Sequence, residues 1–232
     1  MRRLAGWLAV LALLAWPVTA TATTITPFDV EFNLDGTVHT AVFDGTEDTV
    51  PGLGGWSSWY PGALGTLTLT FAPGAGTYTV LGFFDLEIDE TVNGFSNEFA
   101  DVFGVAPAGL TWEIDEPGWA QPPLQPGDIY TNFTAGALDG TNAVPQATPN
   151  DVSIGIGWTF TLAADEFAVF TFTTTDQVPP GAFAIGQFDP DSPASVYLTS
   201  SMTIRQTSVP EPAALWLFGL GLIVVGTRLA RH

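Results

Sequence analysis

From Thr23 to Ser208 the apolar residues fall on every second position, and that alternation limits what the chain can fold into. Phe28, Val30, Phe32 and Leu34 alternate with polar residues, as do Leu67, Leu69 and Phe71. The longest such run holds Val152, Ile154, Ile156, Trp158, Phe160 and Leu162; Ala168, Phe170 and Phe172 follow it. Val196, Leu198, Met202 and Ile204 close the series. Side chains two apart share one face of a strand, so each run describes a strand with one buried face. Asp-Gly at 35–36 and 44–45 and Pro-Gly at 51–52, 61–62, 73–74 and 126–127 supply the turns between runs. No stretch of this region sustains a helical period. The expected fold is therefore all-β, an antiparallel β-sandwich of jelly-roll or immunoglobulin-like type. It occupies 23–208, between an N-terminal signal helix and a C-terminal transmembrane helix.

Within 79–90, Val80, Phe84, Leu86 and Ile88 are expected to point into the core, and Asp85, Glu87 and Asp89 into water. The stretch 116–149 is rich in Pro, Gly and Asn and poorly patterned. It reads as the longest loop and the natural carrier of any specific function.

Charge excludes some partners. The chain has five arginines, no lysine and 24 acidic residues. Four arginines and Glu211 lie at the two ends, which leaves 23 acidic residues in the body against Arg205 alone. A field of that sign repels nucleic acid and anionic headgroups and attracts divalent cations. Cysteine is absent, so no disulfide, thiolate metal site or cysteine nucleophile is available.

The N-terminus reads as an export signal. Arg2 and Arg3 precede an apolar run from Leu4 to Trp16, Pro17 breaks it, and Ala20-Thr21-Ala22 offers small residues for signal peptidase. Residues 1–22 are thus a signal peptide cut after Ala22, or alternatively after Ala20. At the other end, Ala213 to Thr227 is an apolar run preceded by Pro210-Glu211-Pro212 and followed by Arg228 and Arg231. The prolines are tolerated at a helix start, and the arginines belong on the cytoplasmic side. The run is short beside the ~20 residues of an ordinary membrane span. Val209-Pro210-Glu211-Pro212, the short apolar segment and the basic tail together resemble the PEP-CTERM sorting signal of exported proteins in Gram-negative and related bacteria. The resemblance implies recognition of Pro210, Glu211 and Pro212 by an exosortase, a membrane-embedded cysteine transpeptidase. It implies a transient hold in the inner membrane by 213–227, with Arg228 and Arg231 as the cytoplasmic stop. Removal of 209–232 and transfer of the body to the cell surface or an extracellular polysaccharide matrix would follow.

Residues with chemistry are sparse in the body. His39 is its one histidine, which leaves a serine-histidine-aspartate triad or a histidine metal site without partners. Asp85 and Glu87 sit at a spacing of ~6.5–7 Å along a strand, a distance that any acidic strand face produces. Asp44, Glu47 and Asp48 in one loop, and Asp189 and Asp191 in another, are candidate calcium ligands or simply solvated loop acids. Trp56, Trp59 and Tyr60 in one Gly/Pro-bounded loop, with Trp112 and Trp119 beside another, are a candidate glycan platform or plugs for the ends of the core. Asn132-Phe133-Thr134 matches a glycosylation sequon by chance. No catalytic residue is assigned and no cofactor beyond calcium is expected. The body reads as a structural or adhesive module, not an enzyme; the alternative is a carbohydrate-binding module acting in an exopolysaccharide matrix.

Overall fold

A computed structural model describes residues 24–89, 94–118 and 127–207. The expected signal helix, the expected transmembrane helix and the sorting motif lie outside these residues. Among the described residues no helix is long and apolar enough to cross a membrane.

Among the described residues twelve strands form two six-stranded sheets, antiparallel throughout. They are β1 (Ile25–Leu34), β2 (Thr37–Phe43), β3 (Thr46–Glu47), β4 (Leu53–Gly54), β5 (Gly65–Phe71) and β6 (Gly76–Ile88). Then come β7 (Phe99–Phe103), β8 (Leu110–Asp115), β9 (Ser153–Leu162), β10 (Glu166–Thr175), β11 (Ala184–Phe188) and β12 (Ser195–Gln206). The first sheet runs β3-β2-β1-β6-β9-β8 and the second β4-β5-β10-β12-β11-β7. Among the described residues two short α-helices, α1 (Trp56–Trp59) and α2 (Ile129–Ala135), and a 3-10 turn at Phe95–Asn97 interrupt the strands. The architecture is the expected all-β sandwich.

The alternating residues meet between the sheets. Phe32 of β1 and Phe84 of β6 lie 5.5 and 5.6 Å from Phe172 of β10 in the facing sheet. All three are at most 1% exposed, and burying each such side chain contributes about 1.5–3 kcal/mol. Trp59 joins them, with Phe84 6.4 Å away.

The outer face of the first sheet departs from the sequence expectation. Asp85 and Glu87 are 1% and 5% exposed, so the acidic face of β6 is dry and not wet. The cause is the segment 127–138, which folds back over the sheet as a cover. Within it α2 lays Ile129 and Phe133 on Leu81 and Phe83, which share the face of Asp85. Asn33 of β1 donates through Nδ2 to the carbonyls of Phe133 (2.6 Å) and Thr134 (3.2 Å), and Tyr130 Oη donates to Glu31 Oε2 at 3.1 Å. Gly155 of β9 lets the cover approach: a Cβ there would stand 2.8 Å from Leu138 Cδ2.

Candidate functional site

The cover closes over a row of polar side chains that crosses the first sheet. Asp29 on β1 is in register with Asp85 on β6, Asp85 with Ser153 on β9, and Ser153 with Asp115 on β8. Cross-strand neighbours share a face and lie ~4.8 Å apart between strands. Glu87 follows Asp85 on the same face, and Asp151 lies two residues before Ser153. One carboxylate oxygen from each of Asp85, Glu87 and Asp151 lies within 4.8 Å of the other two.

Strand β9 begins at Ser153, opposite Asp85, so the next residues of β6 lack a ladder on that side. Side chains satisfy them instead. The Ile88 amide donates to Glu98 Oε1 at 3.2 Å, and Gln187 Nε2 donates to the Leu86 carbonyl. Glu98 is held in turn by its own backbone, whose carbonyl accepts from the Asn150 amide at 2.8 Å. This brings Glu98 and Asp151 to the same corner. Both are nearly inaccessible, at 1% and 3% exposure.

Burial of so many carboxylates disfavours their charged forms. Desolvation, with the neighbouring Glu31 charge, pushes Asp29 up to about 8. Desolvation, followed by the Glu87 charge, pushes Glu98 up to about 9 against its hydrogen bonds from Gln187 and Ile88. Asp85 is raised well above the carboxylate range, by burial first and then by Asp151, Glu87, Asp29 and Glu98. Among the described residues the one arginine, Arg205, is exposed on β12 of the other sheet, opposite Phe167.

A second acidic group has a different character. Glu113, Asp115 and Asp128 also bring oxygens within 4.8 Å of one another. Here the protein supplies donors: Asn132 Nδ2 (2.9 Å) and the Asp139 amide (3.1 Å) to Glu113, and the amides of Glu116 (2.9 Å) and Asp128 (2.8 Å) to Asp115. These bonds tie both ends of α2 to β8. Burial raises Glu113 and Asp115 to about 6 each.

The residues singled out from the sequence are dispersed. Trp59 is 1% exposed and its indole N–H donates to Thr174 Oγ1 at 2.8 Å, so it plugs the core. Trp56 and Tyr60 are half-buried and stack at 5.2 Å; the Trp56 indole donates to Glu47 Oε2 at 2.7 Å. Trp112 is half-buried, 6.1 Å from Phe183, and Trp119 lies outside the described residues. Asp44 occupies an exposed turn with φ 46°, and Asp48 Oδ1 accepts from the Thr49 amide at 2.6 Å. Asp189 Oδ1 accepts from the Asp191 amide at 2.6 Å, and Asp191 Oδ2 from Asn97 Nδ2 at 2.9 Å. Neither loop is among the described groups of three converging carboxylates. His39 is half-buried on β2. The signal for the buried cluster was present in Leu81 and Phe83, apolar residues on the supposedly wet face of β6. They require a cover, and a cover dries their polar neighbours.

Residues 208–231 match the PEP-CTERM protein-sorting motif. Searches of curated proteins and of solved structures gave no significant match. The motif marks the chain as an exported, exosortase-targeted protein destined for the cell surface or the extracellular space, processed by an exosortase during export.

Proposed function

We propose that the β-sandwich is a structural or adhesive, non-catalytic module that the sorting signal delivers to the cell surface or the extracellular matrix. The observation that carries this reading is the junction of the body with the motif. Strand β12 ends at Gln206, and the matched motif begins at residue 208. The whole sandwich therefore precedes the sorting signal as one displayable unit. Burial supports the non-catalytic part, since Asp85, Glu87 and Asp151, whose oxygens converge, are at most 5% exposed. In this reading the segment 213–227 holds the chain in the inner membrane until the exosortase acts. Intact mass and location of the native protein, in cells with and without an active exosortase, test it. A body ending near Pro210–Pro212 and found outside the cell only with the enzyme is the expected result. Full-length protein held in the membrane of both strains would make the tail a permanent anchor.

Glycan binding is the second reading, and the half-buried Trp56–Tyr60 stack favours it. Stacked aromatics with polar edges suit sugar faces. Loss of exopolysaccharide retention in Trp56→Ala, with the fold unchanged, would put this reading first.

A further inference from the structure

We propose that Asp85, Glu87 and Asp151 form a buried calcium-binding site under the cover of the first sheet. Three oxygens from these side chains lie within 4.8 Å of one another. That is the span across an ion with Ca–O distances of about 2.3–2.6 Å. The residues are 1%, 5% and 3% exposed.

Convergence of acids alone would not specify an ion; the unmatched oxygens do. Both Oδ atoms of Asp85 are buried without a hydrogen-bond partner. Ser153 Oγ, on the strand position facing Asp85 and 0% exposed, is also without one. A polar atom buried in that state is destabilising, and more so when charged. Protonation of Asp85 would remove a charge, but the new O–H would still need an acceptor. One cation aligned with these oxygens satisfies them together. Among the described residues no positive side chain does so: Arg205 is exposed on the other sheet and His39 is on β2, opposite Phe32.

The donor set selects the ion. It is all oxygen, which disfavours zinc and other metals that prefer nitrogen or sulfur. Magnesium keeps several of its waters in a tight octahedron, whereas this site is dry and rich in protein oxygens, as calcium prefers. A cleft of about 430 Å³ reaches Asp29, the register neighbour of Asp85, and is lined also by Glu31, Thr40, Phe43 and Tyr130. Extracellular modules bind calcium with Kd of about 10⁻⁴–10⁻³ M, so the site would fill after export. This inference does not rest on the proposed structural role.

The test uses the full-length chain purified in detergent. Thermal unfolding is followed after chelator treatment, then with added CaCl2 or MgCl2, and the bound metal is counted by mass spectrometry. Calcium at 100 times Kd is expected to raise Tm by about 5–10 °C, with one ion per chain. Asp85→Asn is expected to abolish that rise, while Asp115→Asn, in the second acidic group, retains it. Should Asp85→Asn fail to fold, Glu87→Gln makes the same comparison. No calcium-dependent rise in the wild type would overturn the proposal, as would a rise from magnesium alone. A rise that survives Asp85→Asn or Glu87→Gln would overturn it equally.

Discussion

Trp59 and Thr174 are one unit. The indole N–H donates to Thr174 Oγ1, and that hydroxyl donates to the Ala63 carbonyl, all within the core. Thr174→Val keeps the shape and removes both bonds, leaving a buried donor and acceptor unmatched. It is expected to cost about 1–3 kcal/mol in urea unfolding, and Trp59→Ala about 3–5 kcal/mol through the cavity it leaves. Equal stability of Thr174→Val and the wild type would refute the pairing. Glu113 offers a titration instead. Its carboxyl, raised by burial to about 6, keeps its proton in the native state at pH values where the unfolded chain has lost it. Its contribution to stability is therefore full below about 4.5 and lost as pH rises through about 6. Asn132 Nδ2 favours the charged form, so Asn132→Ala is expected to move the NMR-detected midpoint of Glu113 further up; a midpoint that fell would contradict the bond. Trp59 shows what a single chain of letters leaves open at this scale. The Gly/Pro-bounded W-S-S-W-Y was legible as an aromatic cluster, but which ring faces the core depends on a helix of four residues. Such a helix is too short to show a period.

The strands were readable because their pattern is local. The run from Val152 to Leu162 became β9 within one residue of each boundary, and Ala168, Phe170 and Phe172 lie inside β10. Strands β7 and β11 escaped because they are five residues long and carry little alternation; β8 does alternate, through Leu110, Trp112 and Ile114, but over six residues only. Helix α2 escaped for another reason. Seven residues would not hold a helix in water, so its stability comes from Ile129 and Phe133 packed on Leu81 and Phe83, about 50 residues away in sequence, and from the Asn33 bonds, about 100 residues away. The same distance hid the buried acids, since a period of two gives the shared face but not what covers it. If the cover is a separable layer, Gly155→Leu should lift it. The new side chain would collide with Leu138 and Ile129. Amide exchange is expected to accelerate in 129–138 and stay slow in β9 and β10. Uniform acceleration across both sheets would mean that cover and sandwich unfold as one.

At the scale of the whole molecule, processing and folding have to be compatible. In the proposed reading the exosortase removes the C-terminal segment of a chain that has already crossed the membrane. A cut that stripped contacts from the sandwich would therefore weaken the body it releases. The contacts end in the right place. Gln206 is the last paired residue of β12, opposite Glu166, and Thr207 is pinned to the Asp165 carbonyl through its amide (2.7 Å) and its hydroxyl (3.0 Å). The sorting motif begins at the next residue. A chain truncated after Val209 should thus keep every contact of the described fold, whereas one truncated after Ile204 loses the end of the β10–β12 ladder and the Thr207 clasp. Each lost hydrogen bond is worth about 0.5–1.5 kcal/mol, and 1 kcal/mol shifts Tm by about 2–4 °C in a domain of this size. The shorter chain is expected to melt several degrees below the longer one, with calcium held constant in both. Equal melting temperatures would show that the last turn of β12 is dispensable. The boundary between body and signal would then lie upstream of residue 205, and the enzyme would have more of the chain to work on than the sheet now allows.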